Sequence, residues 1–206
     1  MKLYTNSLTA NGRKVHIVAD HLGLSLDKVE MKLFEGQTHT PEFLAINPNG
    51  KIPVLVDGDT TLWESNAIMA YLASRIDNTL WPKSDERYHI MQWMNWEAAH
   101  FQPCSSQLIS ERMLKKVLDV GEPDAAIIEQ AEVDFRRYGA ILNSSLEGKA
   151  FLRGADPTLA DISIAVFFAY AEPAQYPMAE LKEIHRWYRA MCELPAFKQN
   201  LPPASQ

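Results

Sequence analysis

Two rhythms divide the chain. Up to about residue 78, short alternations of apolar and polar positions interleave with short helical periods; past residue 84 only the helical period continues. Lys2 to Thr5 predicts a strand, followed by a polar loop from Asn6 to Gly12. From Arg13 the apolar residues Val15, Ile17, Val18, Ala19 and Leu22 recur at helical spacing, and Gly23 ends the helix. Val29, Met31 and Leu33 then alternate with polar residues as a half-buried strand does. Pro41 to Ala45 predicts a short helix with proline in its first turn. Asn47 to Gly50 is a turn, Val54 to Val56 a strand, and Asp57-Gly58-Asp59 a hairpin turn into Thr61-Leu62-Trp63. Ser65 then caps a helix whose apolar side carries Ile68, Met69, Tyr71, Leu72 and Ile76. The order βαβ, short helix, ββα is that of an α/β thioredoxin-like domain over residues 1–78.

Residues 79–84 break the pattern and read as a linker, leaving 85–206 as an all-α domain. Asp85 to about Leu118 is helical and dense in Met and Trp, and Gly121 to Asp124 separates it from an amphipathic helix running from Ala125 to about Leu146. Thr158-Leu159-Ala160-Asp161 forms a capping box, with Asp where Glu or Gln is usual, ahead of an apolar helix to Ala171. A last helix is expected from about Met178 to Cys192.

Composition narrows the function classes. The 206 residues are 47% hydrophobic and 22% charged, ordinary values for a soluble globular protein. A formal net charge of −6 without any Lys/Arg block argues against nucleic acid or an anionic membrane as partner, because both require a basic footprint. No apolar run reaches the roughly 18 residues of a membrane span. The chain enters Lys2-Leu3-Tyr4-Thr5 without the apolar core of a signal peptide, so a cytoplasmic location is expected. The cysteines are Cys104 and Cys192, with no CxxC, and the histidines form no HxxxH or HExxH. A reducing compartment and no metal site are therefore expected.

In a thioredoxin-like domain the first helix aims its N-terminus at the ligand, and redox members carry CxxC there. This chain carries Thr9-Ala10-Asn11-Gly12. Thiol chemistry would have to use a thiol brought by the ligand. Lowering a thiol by about two units from its ordinary pKa of about 8.5 takes roughly 2.7 kcal/mol. A hydroxyl bonded to a charged group supplies roughly 1.5–3 kcal/mol, and a helix N-terminus roughly 0.3–1 kcal/mol more. Thr9 with the helix end meets that requirement, and the Asn11 amide is a second donor; the plainer role of both is to cap the helix. Ser65 at a helix start offers a hydroxyl and main-chain N–H groups for a carboxylate, and Glu64 a counter-charge for an ammonium, the two halves of an α-amino acid head. A capped helix beside a solvated glutamate is the plainer reading. A cis Ile52-Pro53 bond would turn the Ile52 main chain outward to pair with an extended ligand backbone. Lys51 could meet a terminal carboxylate, or simply be solvated. Together these residues describe a peptide-like ligand with an amino-acid head, a central thiol and a terminal carboxylate.

Three stretches, Asn47 to Leu55, Leu62 to Ile68 with Tyr71-Leu72, and Thr158 to Asp161, occur here in an order and spacing that resemble the cytosolic glutathione transferase family across essentially the whole chain. The resemblance implies a thioredoxin-like glutathione domain followed by an all-helical domain, a homodimer, and glutathione as co-substrate with no other cofactor. It also implies a cis Pro53, with the Ile52 main chain on the cysteinyl unit, Glu64 and Ser65 on the γ-glutamyl head and Lys51 on the glycyl carboxylate. Theta- and phi-like members carry serine where Thr9 stands; Thr9-x-Asn11-Gly12 looks more like nu-type bacterial members, which favour disulfide reduction with glutathione. Ser7 is a rival thiolate donor, and Tyr4 a poorer one because it belongs within the strand.

The second substrate is expected between Thr9 and the early helical domain, with Trp96, Phe101, Cys104 and Leu108 as its wall; the same stripe also suits a core or a dimer contact. The function expected is conjugation of glutathione to small, apolar electrophiles. Reduction of disulfides or peroxides at the same site is the alternative within enzymes. A non-enzymatic carrier or regulatory protein on the same fold is the alternative outside them.

Overall fold

The computed structural model describes residues 1–202 and divides into two compact units, one of residues 1–83 with 193–202 and one of residues 84–192. The first unit is built on a four-stranded sheet in the order β2-β1-β3-β4, from β1 (Lys2–Thr5), β2 (Asp27–Glu30), β3 (Val54–Asp57) and β4 (Thr60–Trp63). β1 runs parallel to β2 and antiparallel to β3, and β3 and β4 form the expected hairpin around Gly58. Tyr4 and Val54 pair across the ladder and share a buried cluster with Val29, Met31, Ile52 and with Phe43 and Ile46 of α2 (Pro41–Ile46). Leu3 and Leu55, also paired, point to the opposite face, since strand side chains alternate. α1 (Ala10–His21) packs against α3 (Ser65–Ala73).

Three expectations shift. β2 lies earlier than the Val29-Met31-Leu33 alternation placed it, because the chain leaves the sheet after Met31 N–H bonds Thr5 O at 2.7 Å and Leu33 enters a 3-10 turn. The stretch 79–84 holds the boundary between the two units, after Lys83, and it is packed rather than solvated, with Leu80 and Trp81 buried. Asn78 pins it, accepting from Trp81 N–H at 3.0 Å and donating to Ala73 O at 2.7 Å. The chain end does not belong with the helical domain proposed over 85–206. α10 (Pro195–Lys198) buries Ala196 and Phe197 and packs on α1, and Asn200 Nδ2 donates to Asp20 Oδ2 at 2.8 Å. Positions 203–206 lie outside the described residues.

The second unit is helical. Its first long run comprises α4 (Glu86–Trp96), α5 (Gln102–Ile109) and α6 (Lys115–Leu118), joined by π-helical turns at Glu97–Phe101 and Ser110–Leu114. α7 (Ala125–Ser145) packs along α5, capped by Asp124 and closed by Arg186, which donates to Leu146 O at 3.1 Å. The capping box forms at α8 (Leu159–Ala165): buried Asp161 accepts from Thr158 N–H and, at its other oxygen, from Leu152 N–H and Trp187 Nε1, each at 2.9 Å. Trp187 stands on α9 (Lys182–Glu193), which starts later than Met178, and meets Phe168 edge-on at 5.8 Å. No helix among the described residues is long and apolar enough to cross a membrane.

Candidate active site

The seven residues expected at the thiol and the peptide ligand, Thr9, Asn11, Lys51, Ile52, Pro53, Glu64 and Ser65, all belong to the first unit. The loop between β1 and α1 folds around the Asn6 carbonyl, which accepts Thr9 N–H at 3.1 Å and Thr9 Oγ1–H at 2.9 Å. Thr9 Oγ1 in turn accepts Gly12 N–H at 3.1 Å, so Thr9 is the N-cap of α1 and its one hydroxyl hydrogen goes to Asn6. The helix therefore begins at Ala10, ahead of the apolar period. Gly12 sits within its first turn because a Cβ there would stand 2.4 Å from Asn6 O. Ser7 is turned aside: its N–H and hydroxyl both reach Glu30 Oε1, at 2.8 and 3.1 Å. Tyr4 packs edge-on against Phe43 at 5.9 Å.

Asn11 and Ser65 meet directly, with Ser65 Oγ donating to Asn11 Oδ1 at 3.2 Å. Ser65 is 7% exposed and does not cap its own helix as expected. The capping position falls to Glu64, at φ 71° and ψ 113°, with no side-chain cap bond. A non-glycine residue at positive φ costs on the order of 1–3 kcal/mol, and such residues cluster at ligand sites. One turn along, fully buried Lys14 donates from Nζ to Asn66 Oδ1 at 3.4 Å, so two consecutive residues of α3 are tied to α1. The Glu64 side chain is exposed and forms no ion pair among the described residues. This leaves a helix N-terminus, whose dipole attracts a carboxylate, beside the exposed Glu64 carboxylate, which attracts an ammonium.

The Ile52-Pro53 bond is cis, and the β3 ladder begins after it, at Val54. A residue read from the sequence only as the start of a turn shapes this loop. Buried Asn47 donates to Lys51 O at 2.7 Å and accepts Asn49 N–H at 3.0 Å. The Asn-Pro-Asn-Gly turn was its only signal. Gly50 has φ 61° and comes so near His39 that a Cβ would lie 3.1 Å from its Nε2. Lys51 extends into solvent without an ion pair among the described residues.

The four residues expected to wall a second substrate lie in the second unit, and three of them are interior. Phe101, Cys104 and Leu108 are buried, with Phe101 stacked on Phe168 at 5.3 Å and tilted on Phe135 at 5.3 Å. Spacings of three and four along a helix line one face, and here that face is the core. The Cys104 thiol contacts Phe101 O at 3.2 Å, and burial pushes it up to about 11, so it is not a reactive thiolate. Trp96 retains partial exposure, its ring edge-on to Trp93 at 5.1 Å and to Tyr138 at 6.1 Å.

A four-stranded thioredoxin-like unit with a cis proline before β3 and a helical unit behind it in the chain define the architecture of the cytosolic glutathione transferases. Residues 1–74 match the family model of the glutathione S-transferase N-terminal domain, and residues 125–190 that of the C-terminal domain. The chain is 32% identical to glutathione S-transferase 3 of Zea mays over 98% of its length and 96% of the relative's. It superposes with a TM-score of 0.87 on a theta-class glutathione S-transferase from the citrus canker pathogen Xanthomonas axonopodis pv. citri with glutathione bound, at 27% identity, covering 98% and 97% of the two chains. Glutathione transferase URE2P6 from Phanerochaete chrysosporium, in complex with oxidized glutathione, gives 0.86 at 30% identity, covering 97% and 93%. The chain belongs to the glutathione S-transferase family.

Proposed function

We propose that the protein is a glutathione transferase that binds the tripeptide in its first unit, holds the sulfur as thiolate, and directs it at a small electrophile. The observation that carries this reading is the Ser65–Asn11 hydrogen bond, because it joins the residue expected at the amino-acid head to one expected at the thiol. Asn11 Nδ2 makes no hydrogen bond among the described residues and is the standing thiolate donor. Thr9 joins it by turning its hydroxyl away from the Asn6 carbonyl, which keeps the Thr9 N–H as a partner. Glu64 takes the ammonium of the head, the start of α3 its carboxylate, Lys51 the glycyl carboxylate, and the Ile52 main chain the cysteinyl unit. The protein acts as a homodimer in this reading, which exposed Trp63 and Ile76 support and sedimentation equilibrium tests.

The test is the ultraviolet absorbance of the bound thiolate, titrated against pH. Wild-type protein is expected to lower the glutathione thiol by about two units, worth roughly 2.7 kcal/mol. Asn11→Ala is expected to return about half or more of that shift, and Thr9→Ala less. Tight binding with an unshifted thiol would make the protein a carrier, and absence of binding would overturn the ligand.

Disulfide reduction is the second reading, favoured by Thr9-x-Asn11 and by the oxidized glutathione held in URE2P6. There the thiolate attacks a disulfide sulfur, expelling the other sulfur as thiolate and leaving a mixed disulfide that a second glutathione resolves to oxidized glutathione. Parallel assays with a small disulfide and an aryl halide separate the two.

A further inference from the structure

We propose that Asn47 is a positioning residue for glutathione: by holding the Lys51 carbonyl it turns the Ile52 N–H outward, towards the carbonyl of the cysteinyl unit. The proposal rests on the glutathione reading above. Asn47 is 2% exposed, and its partners allow its carboxamide one orientation. Its Nδ2 donates to Lys51 O, a group that can only accept, at 2.7 Å. Its Oδ1 accepts Asn49 N–H, a group that can only donate, at 3.0 Å. Lys51 O and Ile52 N–H belong to one peptide group. That peptide is trans, Ile52-Pro53 being the cis bond among the described residues, so its carbonyl and its N–H point in opposite directions. Fixing Lys51 O on Asn47 therefore fixes Ile52 N–H on the side away from the turn. No acceptor meets it there among the described residues, and a backbone donor left over in a half-buried residue suits a ligand acceptor.

The Nδ2 bond is not what closes the turn. Asn47 N–H donates to Phe43 O at the end of α2, at 2.9 Å, and Asn47 O accepts Gly50 N–H at 3.0 Å. With the Oδ1–Asn49 bond, these shape residues 47–50. The Nδ2 bond reaches past them, to the peptide in front of Ile52. The Ile52 side chain is anchored separately, against the cluster of Met31, Phe43 and Val54. Without Nδ2 the Lys51–Ile52 peptide could rotate about ψ of Lys51 and φ of Ile52 while both neighbours stayed in place. Its N–H would then leave the ligand side.

Asn47→Asp separates aiming from folding. It keeps an acceptor for Asn49 N–H and sets a second oxygen against Lys51 O, which repels it. Affinity for S-methylglutathione, a thioether that cannot ionise, is expected to fall about tenfold, as for one hydrogen bond lost from the ligand. The thiol pKa of bound glutathione is expected to stay at its wild-type value, because the donors to the sulfur lie elsewhere. In protein labelled on the isoleucine nitrogens, magnetic resonance reads the Ile52 amide directly. Its proton is expected to move downfield and gain protection from exchange when S-methylglutathione binds wild type, and to do neither in Asn47→Asp. Unchanged affinity in Asn47→Asp would overturn the proposal. So would weaker affinity with a wild-type Ile52 response, which the added charge alone would produce, or a thiol pKa displaced along with affinity, which marks general damage. Wild-type protein tests both halves even if the variant fails to fold. An Ile52 amide that does not respond to the ligand would overturn the proposal, and so would an Asn47 Nδ2 proton exchanging at the solvent rate in free protein. Failure of wild-type protein to bind S-methylglutathione would instead overturn the glutathione reading beneath it.

Discussion

The starts of α3 and α8 both read in the sequence as capped helices, with Ser65 at one and Thr158 at the other, yet they are built in opposite ways. At α8 the backbone of Thr158 is relaxed, at φ −126° and ψ 176°, and the Asp161 carboxylate gathers four hydrogen bonds from Thr158 N–H, Thr158 Oγ1, Leu152 N–H and Trp187 Nε1. At α3 the capping residue Glu64 is strained, at φ 71°, its side chain makes no cap bond, and the serine beside it gives its hydrogen to another helix. The first arrangement is closed, buried and satisfied, so it spends its interactions on the fold. The second leaves the Glu64 carboxylate exposed and without an ion pair among the described residues, where the ammonium of a zwitterion can take it. A helix start in a structure can therefore be assigned to the fold or to a ligand by asking which of its polar groups are already satisfied.

Removing the satisfied cap gives the largest expected effect. Asp161→Ala strands the Leu152 N–H and the Trp187 indole in the interior, and breaking a buried network of this kind costs about 3–5 kcal/mol. Burial pushes the Asp161 carboxyl up while its four donors pull it down, so the loss is carried by orphaned donors as much as by charge. Urea unfolding reads it. The matched change at the other helix, Ser65→Ala, is expected to cost under about 1 kcal/mol, because it removes one hydrogen bond and leaves the fold otherwise paired.

His16 on α1 sharpens the rule, being unsatisfied yet away from any surface. It is 3% exposed, and its Nε2 has no partner among the described residues. Burial first, then the Lys28 charge, lowers it to about 4, while Glu30 and Asp20 pull it back up. Its ordinary value is about 6.5. Below that pH the unfolded chain takes up a proton that the folded chain refuses until about pH 4, so stability falls across that window and levels off beneath it. The slope is about 1.4 kcal/mol per pH unit, or about 3 kcal/mol over the window. His16→Gln is expected to flatten this part of the stability–pH curve, read by urea midpoints between pH 7 and pH 4.

What the sequence made legible was local. The hairpin at Gly58 and the Thr158–Asp161 box each rest on residues within a few positions of one another, where turn chemistry and capping act. The order of elements in the first unit followed from its apolar periods. Features set by partners far along the chain were not legible. Ser65 reads as a cap because serine caps helices, and only Asn11, 54 positions away, draws its hydroxyl elsewhere. Phe101 reads as either site wall or core, and only the packing of Phe135 and Phe168 around it decides for core. The last segment joins the first unit through Asn200 and Asp20, 180 positions apart. Glu64 gave no warning of its left-handed backbone, since glutamate is not a residue type enriched there.

That backbone supplies a small expected effect, and the one of opposite sign. If the start of α3 is strained for the sake of a ligand, relieving the strain should stabilise the fold and harm the site. Glu64→Gly removes the Cβ that makes φ 71° costly, a relief on the order of 1–3 kcal/mol. Glycine also loses more backbone freedom on folding, which takes back roughly 0.5–1 kcal/mol. A net gain of about 1 kcal/mol is expected, seen as a raised thermal midpoint, together with weaker glutathione binding because the counter-charge for the ammonium is gone. Glu64→Gln separates the two parts: it keeps the Cβ and its strain, so stability should hold while affinity falls. If Glu64→Gly instead lowered the midpoint, the residue would be contributing to the fold through its side chain, and the contrast between the two helix starts would lose its basis.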